Sequence, residues 1–359
     1  MDSKERTHQR HKNKKRANYT RVSSLSTILI GILFLLSVLE FIFANPVTGF
    51  LQSNKKSQHS QGSSSTKLSS NMPPSTTETV RQDEDVQKTA HSEATINLAK
   101  KESAEHLHGM AEVYETMRKR PLRMKVYPLN DDCIDLNDES TNVKVVHFVR
   151  HGQGFHNLMA DLAHEAGKKW TQFTQSPQNP YIMPEILDAP LTQKGRDQAR
   201  VLQSRLNDMS VLPELVMISP TCRTLQTGTI AFQPLLANND IPFIAHEMMR
   251  EESGVHVCDQ RRPKSQQASE FPMVNFDLIE TEDDKLFKSD SRETKSQVSE
   301  RIYTFMQWLS NREEKHIAVV SHSGWLFTVF NGICECKSEE LKNWFHTGEM
   351  RSVKLVFET

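Results

Sequence analysis

Cysteine is scarce in this chain, five in 359 residues and an odd number, which argues against a disulfide framework. Only Cys334 and Cys336 stand close together, and without a matching pair they do not read as a zinc site. No Gly-Lys-Ser or Gly-Lys-Thr closes a glycine-rich loop, so a nucleotide-driven mechanism has no support. A surplus of charge is missing as well: 44 Lys and Arg face 45 Asp and Glu, for a net charge of −1. Basic residues beyond the amino terminus are dispersed, so there is no electrostatic footprint for nucleic acid. Between Phe50 and Tyr114 there is no aromatic residue, in a stretch dense in Ser, Thr, Gln, Lys and Glu. Such a stretch cannot bury enough apolar surface to offset chain entropy. Residues 45–105 therefore read as a disordered stalk, with a short helix expected around Ala104 to Arg118. The Asn-x-Ser/Thr pattern occurs only at Asn18-Tyr19-Thr20, ahead of the one long apolar run, so it gives no support for glycosylation of a translocated domain.

That run, Leu25 to Ala44, follows a flank carrying Lys4, Arg6, Arg10, Lys12, Lys14, Lys15, Arg16 and Arg21. It is long enough to cross a bilayer as one helix. The cations predict a single-pass signal anchor with a cytoplasmic amino terminus and the remainder translocated. Glu40 lies near the exit end, where a carboxylate is tolerated. The competing reading is a cleaved signal sequence with its apolar core at Ile28 to Leu39 and Ala44 at the cut, giving a secreted product. An organelle import leader is a third reading. The predicted organisation is a basic tail at 1–24, the apolar segment at 25–44, a stalk at 45–125 and a folded domain at 126–359.

In the folded part, strand-like and helical runs alternate, which predicts an α/β domain: a three-layer, mainly parallel, doubly wound sheet with helices on both faces. Helices are expected at Leu191 to Leu206, Thr221 to Phe232 and Thr294 to Ser310, the last with Val298, Ile302, Phe305, Met306 and Leu309 on one face. Arg351 to Phe357 reads as a closing strand. Four apolar runs end in chemistry-bearing residues. Val145 to Val149 ends in Arg150-His151-Gly152-Gln153, with Asn157 beyond. Pro213 to Ile218 leads to Ser219-Pro220-Thr221-Cys222-Arg223. Ile241 to Met249 leads to Arg250-Glu251-Glu252-Ser253-Gly254, and His316 to Ser321 leads to His322-Ser323-Gly324. Ligands of open α/β sheets bind outside strand carboxyl ends, where a reactive histidine would be useful.

With these motifs, and with Pro190-Leu191-Thr192-Gln193-Lys194-Gly195 between the first two, the chain from about Val143 to Thr359 resembles the histidine phosphatase superfamily on its phosphoglycerate-mutase-like branch. The acid-phosphatase branch usually reads Arg-His-Gly-x-Arg-x-Pro, which this sequence does not. The resemblance implies the same sheet, with room for one antiparallel edge strand, and assigns His151 as the nucleophile that becomes phosphorylated. The chemistry agrees, because a neutral imidazole is nucleophilic near pH 7. Arg150 and Arg223 suit a phosphate clamp, since a guanidinium donates two parallel hydrogen bonds. His322 is expected to donate to a phosphate oxygen, and Ser323 to add a hydroxyl. Glu251 is expected as the general acid, with the adjacent Glu252 as the alternative. Gln153, Asn157, Arg261 and Arg262 are the candidates for substrate binding. His156, His246 and His256 read as structural or surface residues, and Cys222 as a packed thiol. Trp170 to Glu185 is expected as a loop beside the pocket and Ser265 to Glu293 as a lid. No cofactor or metal is required. The implied activity is hydrolysis of a small phosphorylated substrate. The alternatives are mutase-type transfer and a non-catalytic binding or scaffold member of the same fold.

Overall fold

The computed structural model describes residues 104, 106–136, 138, 140–170, 178–236 and 241–359. The basic tail, the apolar run at 25–44 and residues 45–103 and 105 of the stalk lie outside them. Among the described residues no helix is long and apolar enough to cross a membrane.

The elements run α1 (Met110–Met117), β1 (Arg123–Pro128), β2 (Asn142–Arg150), α2 (Phe155–Glu165), α3 (Gln193–Arg205), β3 (Leu215–Ile218), α4 (Cys222–Ala231), α5 (Gln233–Leu236), β4 (Phe243–Ala245), α6 (Lys264–Glu270), α7 (Lys295–Ser310), β5 (His316–Ser321), α8 (Ser323–Thr328), β6 (Glu335–Cys336) and β7 (Met350–Glu358). The seven strands form one sheet in the order β4-β3-β5-β2-β7-β1-β6. It is mixed. The pairs β3–β4, β3–β5, β2–β5 and β1–β6 are parallel, whereas β7 runs antiparallel to both β1 and β2. The antiparallel strand expected at an edge is thus interior. Val353 and Leu355 are fully buried, and both sides of the strand are hydrogen-bonded.

Period-two alternation sorts the strand residues into two cores. Leu215, Met217, Ile317 and Val319 face one way, against Val298, Ile302, Phe305 and Leu309 of α7 and against α1 and α8. Val216, Ile218, Ala318 and Val320 face the other way, against Leu202 of α3 and Leu225 of α4. Burying each such side chain contributes roughly 1.5–3 kcal/mol as an upper bound. Thr294 begins α7 with a reciprocal cap, accepting from the Gln297 N–H while Gln297 accepts from the Thr294 N–H.

Two expected boundaries shift. The run from Ile241 to Met249 is a strand only over Phe243–Ala245, because His246 Nδ1 accepts the Met248 N–H and turns the chain into a 3-10 turn at Glu247–Met249. The folded unit also reaches back beyond residue 126, since β1 starts at Arg123 and α1 buries Met110, Val113 and Met117.

Candidate active site

Register places the site. In β2 and β5, Arg150 stands opposite Ser321; in β3 and β5, Ile218 stands opposite Val320. Arg150-His151, Ser219 and His322 therefore emerge side by side at the carboxyl ends of three parallel strands. The turn after β4 delivers Glu251 beside them. His151 is buried, and its Nδ1 lies 2.7 Å from the Gly152 carbonyl oxygen. A carbonyl only accepts, so Nδ1 carries the proton and Nε2 keeps its lone pair. Burial, then the charges of Arg223 and Arg150, hold the imidazole well below its ordinary range. It is neutral at pH 7, with Nε2 unprotonated.

The loop that presents His151 is fixed by a backbone crossing. A Cβ on Gly152 would come within 2.4 Å of the Gly195 oxygen, and one on Gly195 within 2.2 Å of the Gln153 oxygen. Both positions need glycine for close approach. Thr192 caps α3 by accepting the Gly195 N–H at 3.1 Å. The Pro-Leu-Thr-x-x-Gly pattern therefore clamps the His151 loop. Asn157 holds the same loop, its Oδ1 accepting the Gly154 N–H at 3.0 Å, and it also lines the cavity.

Arg223 is almost wholly buried. It donates from Nη1 to the Cys258 carbonyl (2.6 Å) and from Nη2 to Asp259 (2.8 Å), while its Nε has no partner among the described residues. Arg150 donates to the Phe345 carbonyl at 2.6 Å and lines the same cavity. The His322 ring is 5.2 Å from that of His151. Its Nε2 meets the Ser219 hydroxyl at 2.8 Å, and its Nδ1 is buried without a partner among the described residues. Burial, then Arg223, also keeps His322 neutral. Glu251 faces the cavity with its carboxylate accepting the Gly324 and Trp325 N–H groups at 3.0 Å each; the Ser323 hydroxyl is 3.4 Å away. A Cβ on Gly324 would stand 2.6 Å from that carboxylate. Glu252 points elsewhere. Burial would raise its pKa, but His106, Lys295 and Arg292 outweigh burial and hold it well below the usual carboxylate range. Of the two glutamates, Glu251 alone lines the cavity.

The sequence pattern of the histidine phosphatase superfamily (branch 1) matches residues 146–358, more than half of the chain. The chain belongs to this superfamily. Its curated relatives include Phosphoglycerate mutase-like protein 1 of Arabidopsis thaliana, 35% identical over 243 residues, a match covering 59% of this chain and 81% of the relative. Among solved structures, the alpha-ribazole phosphatase of Shigella flexneri is 17% identical, covers 58% of this chain and 89% of that one, and has a TM-score of 0.36. A phosphoglycerate mutase from Bacillus anthracis is 15% identical, covers 61% and 92%, and has a TM-score of 0.37.

Three expected substrate binders do not reach the cavity. Arg261 spends its donors on Glu247 and on the carbonyls of Arg262, Thr281, Glu282 and Asp283. Arg262 pairs with Asp188 at 3.0 Å and Glu270 at 2.8 Å. Gln153 meets the Thr192 hydroxyl at 2.9 Å, serving the loop clamp instead. Conversely, the sequence reading missed several residues that do reach it. His156 and His256, taken as structural or surface, line the cavity, with the His156 ring 5.4 Å from His151. His246 is structural, packed edge-on against Phe305 and Trp308. Asp259, inside the Cys-Asp-x-Arg-Arg stretch, holds Arg223 and Arg292 together (2.8 and 3.1 Å). Arg292 comes from the segment expected as a lid. It is brought in because Gly254, at φ 97°, passes where a Cβ would sit 2.0 Å from the Ser291 oxygen. Cys222 is a packed thiol, pushed up by burial. His106, from the segment expected as stalk, also lines the cavity, 3.3 Å from Glu252. Among the described residues no three His, Cys, Asp or Glu side chains group as a metal ion requires.

Proposed function

We propose that this chain is a phosphomonoester hydrolase that works through a phosphohistidine at His151 and needs no metal. The observation that carries the reading is the fixed tautomer of His151, whose proton is committed to the Gly152 carbonyl so that Nε2 is left basic in the cavity. In the first step Nε2 attacks phosphorus and the P–O bond to the leaving alcohol breaks. Glu251 gives that oxygen its proton. In the second step Glu251 takes a proton from water, the resulting hydroxide attacks phosphorus, the P–N bond breaks and phosphate leaves. Arg150, Arg223 and His322 face the equatorial oxygens, where donors act most strongly as charge builds. Each charge-assisted bond contributes roughly 1.5–3 kcal/mol. Ser323 and Asn157 complete the rim.

The names of the curated relatives keep mutase-type transfer in view. The test is phosphate release from a panel of monoesters by the full-length protein, wild type beside His151→Ala, together with interconversion of 2- and 3-phosphoglycerate under a bisphosphate primer. Release at least about 10³-fold above the variant is expected. Equal release from both proteins, or interconversion without release, would sink the reading.

A further inference from the structure

The cavity holds more than a phosphoryl site. Beyond Arg150, His151 and Arg223 its lining includes His156, Trp170, Tyr181, His256 and Trp344, and the wall leading outward from His151 is made of rings. His156 adjoins His151 at 5.4 Å between centroids, Tyr181 adjoins His156 at 6.3 Å and His256 at 4.9 Å, and Trp170 meets Tyr181 edge-on at 6.1 Å. His164 lies flat on Trp170, 4.2 Å away and inclined by only 23°. That stack sets the plane of the indole at the rim. Trp344 also lines the cavity. It is nine-tenths buried, with its ring 4.9 Å from His106, and its indole N–H has no partner among the described residues. A buried donor of this kind costs free energy unless something accepts from it.

Away from the phosphoryl position, the charges in the same cavity disfavour a second anionic group on the substrate. Its cations among the described residues are Arg150, Arg223 and Arg292, with no lysine among them. The first two face the phosphoryl position. Arg292 is held by the Gly254 carbonyl at 2.9 Å, by Asp259 at 3.1 Å and by Glu252 at 3.6 Å. Glu251 and Asp259 add negative charge to the lining. A leaving group carrying its own carboxylate or phosphate would meet carboxylates and an arginine already neutralised. A planar neutral one would meet ring faces and an unused N–H.

We infer that the subsite formed by Trp170, Tyr181, His256 and Trp344 takes the leaving alcohol, and that the substrate class is the monophosphate of an uncharged aromatic alcohol with an oxygen acceptor on its ring system. This rests on the hydrolase reading above. The full-length protein is assayed with 6-methoxy-2-naphthylmethyl phosphate, 2-methoxyethyl phosphate and 3-phosphoglycerate. Binding of the non-hydrolysable 6-methoxy-2-naphthylmethyl phosphonate is measured separately by calorimetry.

The expected result is a kcat/KM for the naphthyl ester about tenfold above that for the alkyl ester, with 3-phosphoglycerate lowest. Trp170→Ala lowers the naphthyl value roughly five- to tenfold more than the alkyl value, and Trp344→Phe, which keeps the ring but removes the N–H, does so by roughly threefold more. Preference for 3-phosphoglycerate overturns the inference and leaves the hydrolase intact, as do variants that depress both esters equally. Phosphonate binding that weakens in Trp170→Ala, with no ester hydrolysed, supports the subsite while removing the hydrolase reading. Absence of both binding and hydrolysis overturns both.

Discussion

Two arginine clusters sit within one stretch of this chain and do opposite work. At the cavity, Arg223 gives two donors to Cys258 and Asp259, and shares that carboxylate with Arg292. Further along the chain, Arg250 and Arg261 are as deeply buried but face carboxylates of their own, although the Nε of Arg250, like that of Arg223, has no partner among the described residues. Asp284 meets Arg250 in two bonds of 2.6 and 2.7 Å, Glu247 bridges Arg250 and Arg261, and four carbonyls accept from Arg261. The second cluster is neutralised and pins the 247–262 and 281–284 loops to each other. The first keeps positive potential for an incoming anion. Burial and an unpartnered Nε do not mark a binding arginine, since Arg250 has both; what sets Arg223 apart is that it lines the cavity and offsets its charge with a carboxylate it shares with Arg292.

Substitution sharpens that contrast. Arg223→Met is expected to cut kcat about 10³-fold, equivalent to about 4 kcal/mol of transition-state stabilisation, with a modest change in denaturation midpoint because Arg292 still neutralises Asp259. Arg261→Met is expected to cost roughly 3–4 kcal/mol of folding stability, since Glu247 loses a buried partner, while kcat of the folded fraction stays within about threefold. Urea melts beside initial rates distinguish the two, and a catalytic loss from Arg261→Met matching that of Arg223→Met would erase the distinction.

Acid separates the arginines, which stay charged, from the buried imidazoles. Burial, with His316 nearby, holds His147 down at about 4, against about 6.5 in an unfolded chain. Its folded value is depressed, so the unfolded chain binds the extra proton. The stability is fully present above 6.5 and lost as the pH falls through 4, about 3 kcal/mol in all. In His147→Gln the urea midpoint should fall less steeply over that window; the same slope in both proteins would assign the loss to other groups, His246 first. The smallest effect is expected from Asp259→Asn, which keeps shape but weakens the tie between Arg223 and Arg292. About a tenfold loss of kcat is anticipated, or 1.4 kcal/mol. Unchanged kinetics would show that Asp259 does not position the clamp.

The framework was legible because strand ends and motifs are local. Val145 to Gly152 and His316 to Gly324 each announce a buried strand followed by reactive residues, and α7 displays its apolar face in the spacing from Val298 to Leu309. Glycines at 195 and 254 were visible too, although the backbone crossings that require them were not. What the sequence hid were choices settled at long range. Arg261 and Arg262 looked like anion binders because Glu247, Asp284, Asp188 and Glu270 lie far off in sequence or among many other carboxylates. His156, His256, Arg292 and Trp344 carry no motif, and only packing turns them inward. His106 lies at the start of the helix expected around Ala104 to Arg118, where α1 forms over Met110–Met117, but no motif there points its ring to the cavity. The position of β7 was equally hidden, because a strand's neighbours are not written in its own periodicity.

That last feature sets a timetable. β1 and β6 reach the rest of the sheet only through β7, and Lys125 meets Glu358 across 233 positions of sequence. During synthesis β1 emerges early and must wait for nearly the whole domain to be made before its partner arrives. Until then its hydrogen-bonding edge and the apolar face of α1 are exposed to other nascent chains. Pairing at such separation is slow even in a finished polypeptide, so the yield of active protein in a cell should depend on elongation rate and on chaperone capacity more than final stability would indicate.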